Sequence, residues 1–173
     1  MRGLLGVIIL AVLAYTASAL AQNADSRAEI IEEHRCHLAG NLRAVYRSSQ
    51  DRARYVTLSR PGQLNSYVQC GFIEARSKLH CEASSSYYSQ SEIPPRLIYP
   101  SAEEKNALEK LGFKSGNGLE NFSYKRDLTS APDFDGIARL MLLAMHDGFG
   151  ARAETYLELR AEFDGTLITA CRH

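Results

Sequence analysis

Four cysteines, all placed after an export-type leader, constrain this chain more than any other feature. Arg2 gives a short positive start, Leu4 to Leu13 is almost purely apolar, and Ala19-Leu20-Ala21 is a small-x-small cleavage site before Gln22. This is the three-part pattern of a secretory signal peptide, and the apolar run is shorter than the ~20 residues that a membrane span needs. The pattern predicts a signal peptide over residues 1–21 and a single domain over residues 22–173 that folds in an oxidising place, periplasmic or secreted. There Cys36, Cys70, Cys81 and Cys171 are expected to form two disulfides, with three pairings open in principle.

Strand periodicity favours one of those pairings. From Leu64 to Ile73 the residues alternate, with Leu64, Ser66, Val68, Cys70 and Phe72 on one face. From Leu79 to Ser85 they alternate again, with Leu79, Cys81 and Ala83 together. A hairpin loop over Glu74 to Ser77 sets Cys70 directly opposite Cys81 on the apolar face, so register and cysteines agree. Cys36 lies off the helical seam of Ile31, Leu38 and Leu42, where it can meet a passing C-terminal tail. That favours Cys36–Cys171 as the second bridge.

The remaining elements follow from local signals. Residues 26–47 carry apolar residues at helical spacing, with Asp25 or Ser26 as N-cap. Tyr55 to Ser59 is a short β-rich run, and Pro61-Gly62 is a turn. Residues 86–100 form a long irregular stretch holding Pro94, Pro95 and Pro100. Ser101-Ala102-Glu103-Glu104 is a capping box opening a second helix, and Gly112 suits the residue just past its end. Asn121 to Leu128 is a strand candidate. A third helix starts at Asp133 or Ser130, runs through Phe134 to Met145 and is stopped by Gly148 and Gly150. Thr155 to Phe163 alternates strictly as a last strand, with Leu157, Leu159, Ala161 and Phe163 inward. The order is α-β-β-β-α-β-α-β, an α+β domain with a mainly antiparallel sheet and helices packed on one face.

Composition narrows function. Twenty basic residues balance twenty acidic ones, and loss of Arg2 with the leader leaves about one net negative charge. A phosphate backbone demands a basic face, so no nucleic-acid partner is expected. Nothing after residue 21 is apolar enough for a stable membrane span. His34, Cys36 and His37 crowd one helical turn, but no Cys-x-x-Cys or acidic partner completes a metal site. Asp133 and Asp135 suit the first turn of the third helix, and His146-Asp147 suits its end. Gly-x-Ser-x-Gly, His-Glu-x-x-His and phosphate-loop patterns are absent from the sequence. No catalytic residue, cofactor or metal is assigned.

Leu111-Gly112-Phe113, a Gly-rich loop and Asn121-Phe122-Ser123-Tyr124-Lys125-Arg126, followed by a Leu- and Ala-dense helix, form a recognisable series. Over residues 101–163 the chain resembles the YbjN-like and type III secretion chaperone-like superfamily. The resemblance implies binding rather than catalysis, with extended polypeptide held against a sheet and helix surface. Tyr67, Tyr87, Tyr88, Phe122 and Tyr124 are the candidate binding surface, since aromatic side chains offer large contact area. The expected function is an exported, non-enzymatic protein- or peptide-binding module, chaperone-like or regulatory, with a partner of unknown identity. The alternatives are a small-ligand-binding protein or enzyme with a sheet–helix pocket, and a secreted enzyme inhibitor.

Overall fold

A computed structural model describes residues 3–48, 55–63, 65–85, 100–116, 120–161, 167 and 171, with side chains from Asp25 onward. Among the described residues, three helices, α1 (Gly3–Arg47), α2 (Ala102–Lys110) and α3 (Phe134–Phe149), accompany five strands. The strands are β1 (Tyr55–Ser59), β2 (Tyr67–Ile73), β3 (Lys78–Ala83), β4 (Phe122–Asp127) and β5 (Glu158–Ala161). The strand order is β4-β3-β2-β1-β5, every neighbouring pair being antiparallel. This is the expected α+β architecture in the expected element order. Among the described residues no helix is long and apolar enough to cross a membrane.

The alternation read from the sequence becomes the two faces of the sheet. Val56 and Leu58, Val68, Cys70 and Phe72, and Leu79, Cys81 and Ala83 are all buried on the inner face. Their alternate neighbours, from Thr57 and Gln69 to His80 and Glu82, are only half-buried on the other face. Across that outer face Thr57 Oγ1 donates a 3.0 Å hydrogen bond to Gln69 Oε1, as befits a polar surface. β2 starts at Tyr67, after Asn65 takes a left-handed backbone (φ 62°) that interrupts extended chain, and Leu64 lies outside the described residues. β5 likewise starts late, at Glu158, after a turn in which Arg152 N–H donates to Thr155 Oγ1. Phe163 lies outside the described residues.

α3 is the centre of the core. Ile137, Ala138, Met141, Leu142, Ala144 and Met145 are all buried, because this helix meets α1, α2 and the sheet on different sides. Each large side chain so enclosed contributes roughly 1.5–3 kcal/mol of transfer free energy. Asp133 caps the helix by accepting from Gly136 N–H at 2.9 Å. Gly150 ends it in a left-handed conformation, φ 65°. Arg60, from the β1–β2 turn, donates to the Phe149 carbonyl at 2.6 Å and places a cation at the negative end of the helix dipole.

Gly148 departs from the expectation that it stops α3. It sits inside the helix, buried, where a Cβ would lie 2.7 Å from Leu108 Cδ2 of α2. The glycine thus serves close approach of two helices, and packing overrides its weak helix propensity. α2 keeps its expected ends. Ser101 Oγ accepts from Glu104 N–H, Glu104 Oε2 accepts from Ser101 N–H, and Gly112 turns the chain at φ 93°. That turn buries Phe113, which packs against Tyr124 with ring centroids 5.8 Å apart. Lys114 then pairs with Ser123 along the edge of β4.

Both disulfides form as argued. Cys70 and Cys81 are register partners with Cα atoms 4.0 Å apart, and Cys36 bridges to Cys171 across a separation of 135 residues. α1 ends at Arg47 as expected, but it runs back unbroken to Gly3 instead of starting near Ser26. The apolar leader supplies no helix stop, so helical spacing simply continues.

Two measurements check this packing. Gly148→Ala gains up to ~1 kcal/mol of helix propensity but overpacks Leu108, at a cost of ~1–3 kcal/mol, so the thermal midpoint should fall. Replacing Cys36 and Cys171 by Ala should lower stability in urea by up to ~5 kcal/mol, since the chain-entropy gain is largest for long loops. Denatured, unreduced protein should show no free thiols, and four titratable thiols would contradict the two-bridge fold.

Candidate functional site

Three features of the helical layer carry the polar chemistry. The first joins the N-terminal part of α1 to the last turn of α3. Arg27 Nε and Nη2 donate to the two carboxylate oxygens of Asp147 at 2.9 and 2.8 Å. His146 Nδ1 lies 2.7 Å from Asp147 Oδ1, and His146 Nε2 lies 3.0 Å from Ser26 Oγ. With Nδ1 donating to the carboxylate, a neutral His146 accepts the Ser26 hydroxyl at Nε2. The His146 and Asp147 side chains are only 2% and 6% exposed, so the end of α3, where the sequence places them, is buried against α1.

The contact order Ser–His–Asp is that of a nucleophile, a base and its orienting acid. Two observations favour a latch over a hydrolase. Ser26 lies on helix α1 and not on a strand-to-helix elbow of the kind that presents a nucleophilic Oγ to a substrate. Asp147 is also neutralised by a bidentate guanidinium, the strong geometry for holding two elements together.

The second feature is a groove of about 890 Å³ along the α1–α3 seam. Ala28, Ile31, Ala39 and Leu143 give it an apolar floor, while Arg27, Arg35, Arg43 and Arg139 stand against Glu32 and Asp135. Arg35 pairs with Asp135, and the Arg43 guanidinium lies 5.2 Å from the centroid of the Phe134 ring. Arg139 is exposed and makes no ion pair among the described residues. The groove is amphipathic and carries a positive surplus.

The third feature is a smaller cleft of about 240 Å³ between α1 and strands β1 and β5. Leu38, Leu58, Leu157 and Leu159 wall it, with His34 and His37 beside them. Burial pushes the His34 imidazole below its ordinary pKa, with His37 adding to the effect and Glu33 and the Ala153 carbonyl opposing it. His34 and His37 do share one site, as their spacing suggests. Among the described residues, however, no three His, Cys, Asp or Glu side chains gather to hold a metal ion.

The tyrosine surface expected from sequence is divided. Tyr67 stands on the outer face, where its hydroxyl accepts from Asn121 Nδ2 at 2.8 Å while Asn121 Oδ1 accepts from Ser85 N–H. Phe122 is 4% exposed on the inner face, and Tyr124 packs there against Phe113. Tyr87 and Tyr88 lie outside the described residues. Tyr156, between α3 and β5, is the most exposed large apolar side chain described, at 76%.

The arginine groove and the latch were not anticipated. Arg27, Arg35 and Arg43 recur every eight residues along α1, a stripe visible in the sequence, but their partners come from α3. Compared with known proteins, the chain matches no family model, no curated protein sequence and no solved structure.

The latch is tested by a double-mutant cycle on Arg27→Ala and Asp147→Ala, followed by urea unfolding. Charge-assisted hydrogen bonds give ~1.5–3 kcal/mol, and the half-exposed arginine moves the expected coupling to the low end of that range. Additive losses would mean that the pair does not couple.

Proposed function

We propose that this chain is an exported, non-enzymatic protein- or peptide-binding module that takes an acidic amphipathic segment in the groove between α1 and α3. The leader pattern at residues 1–21 and the two disulfides support an extracytoplasmic setting, periplasmic or secreted. The resemblance of residues 101–163 to the YbjN-like and type III secretion chaperone-like superfamily agrees with polypeptide binding.

The groove carries the reading. Its long axis follows two packed helices, its floor is small and aliphatic, and its rim is guanidinium-rich. An amphipathic helix can lay an apolar stripe on such a floor, and its carboxylates can meet arginines in bidentate pairs. Arg35 and Arg139 are the residues best disposed to answer a partner's acid groups, one by exchanging Asp135 for it and the other directly.

A displayed random-peptide library panned against the oxidised protein tests this. Enriched peptides should combine acidic and aliphatic residues at helical spacing, and binding should weaken as salt rises. The double charge reversal Arg35→Glu with Arg139→Glu should weaken binding at least tenfold, about 1.4 kcal/mol. Enriched peptides without acidic bias, or binding indifferent to the reversal, would contradict the proposal.

A further inference from the structure

We infer that the cleft where α1, α2 and α3 meet is a site for a carboxylate borne on a short branched aliphatic group, the chemistry of a C-terminal leucine or of a free branched-chain acid. The cleft measures about 290 Å³. It is lined by Arg27 of α1, Ala107 and Lys110 of α2, Leu111 just past α2, and Leu143 and Asp147 of α3. It adjoins the α1–α3 groove, with which it shares Arg27 and Leu143.

Arg27 supplies the first anchor. A guanidinium carries five N–H donors in a rigid fork. Arg27 gives one donor of Nε and one of Nη2 to Asp147 and makes no other hydrogen bond among the described residues. Both donors of Nη1 and the second of Nη2 are left over. They form the end-on pair of the fork, which suits a second carboxylate in the same bidentate manner. The Arg27 side chain is 46% exposed, so a small solute can reach it. Lys110 supplies the second anchor. It is exposed in the last turn of α2 and makes no ion pair among the described residues.

The charges of the cleft favour an anion. Two cations stand against the one carboxylate of Asp147, which leaves one positive charge in excess, and that carboxylate is already held by Arg27 and His146. The carbonyls of Ala107, Leu108 and Glu109 at the end of α2 would repel an anion if bare, but they accept from the N–H groups of Leu111, Gly112 and Phe113. Ala107, Leu111 and Leu143 give the cleft its apolar wall. An apolar cavity of about 150 Å³ holds benzene, so this cleft has room for a leucine-sized group beside the carboxylate. An apolar lining with a few convergent polar groups is the usual form of a small-ligand site. A primary amide in place of the carboxylate loses the charge and turns N–H donors toward the cations.

The test titrates N-acetyl-leucine, its amide and 4-methylpentanoate separately into the full, oxidised protein, followed by amide and methyl NMR shifts. All three are too short to fill the α1–α3 groove, so the outcome does not depend on whether that groove binds peptides. N-acetyl-leucine should bind roughly tenfold more tightly than its amide, with saturable shifts at Lys110, Leu111 and Leu143, and should weaken as salt rises. Lys110→Glu should erase the preference for the acid. Lys105→Glu, on the same helix but outside the cleft, changes the net charge equally and should leave the preference in place. Tighter binding of N-acetyl-leucine than of 4-methylpentanoate assigns the site to a polypeptide C-terminus, and the reverse order assigns it to a free acid. Equal affinities for acid and amide, shifts centred elsewhere, no saturable binding, or equal losses from the two lysine variants would overturn the inference. The wild-type comparison of acid with amide decides the matter even if a variant fails to fold.

Discussion

The burial of α3 is the constraint on which the other elements depend. A 16-residue helix with apolar side chains on most of its circumference cannot lie on a sheet with one side in water. It needs cover on several sides, and α1, α2 and the inner face of β2 and β1 provide it. The close approach of Leu108 to Gly148 fixes α2 against it, and the ring cluster of Tyr46, Phe72 and Phe134 closes one end of the α1–α3–sheet junction. Once α3 is enclosed in this way, the seam between α1 and α3 has to exist, and the arginines of both helices line its outer side.

The same packing explains why the polar residues fall where they do. Ser26 and Arg27 follow the expected cleavage position by little more than one helical turn. If the leader is removed, α1 begins close to them, and a free first turn has unsatisfied N–H groups and tends to fray. The bonds to His146 and Asp147 hold that turn against α3, while Cys36–Cys171 fastens the middle of α1 to the tail. Cys70–Cys81 acts locally, within one hairpin, and the long bridge acts between elements far apart in sequence.

Much of the fold was legible because its signals are local. The period-two runs around Cys70 and Cys81 set both register and disulfide, the Ser101–Glu104 box set the start of α2, and Gly112 set its end. The features that were not legible rest on partners distant in the chain. Arg27 meets Asp147 across 120 residues, so nothing near either residue marks the pair. Gly148 looked like a helix stop because its real reason, Leu108, lies on another helix. The aromatic residues Tyr67, Phe122 and Tyr124 invited grouping by type. The pleat instead sends Tyr67 to the outer face and the other two inward. Of the site chemistry, the His34–His37 pair was visible as a helical turn, but apart from Leu38 the apolar walls named for it come from distant chain, Leu58 of β1, Leu159 of β5 and Leu157 just before it.

The most direct test of the binding account is an amide shift map of the oxidised protein with an acidic, amphipathic helical peptide. The account expects saturable shifts along α1 between Ile31 and Arg43 and along α3 between Asp135 and Leu143, with the outer face of the sheet unmoved. Shifts centred on Tyr67 and the strands around it, or no saturable shifts for any such peptide, would contradict it.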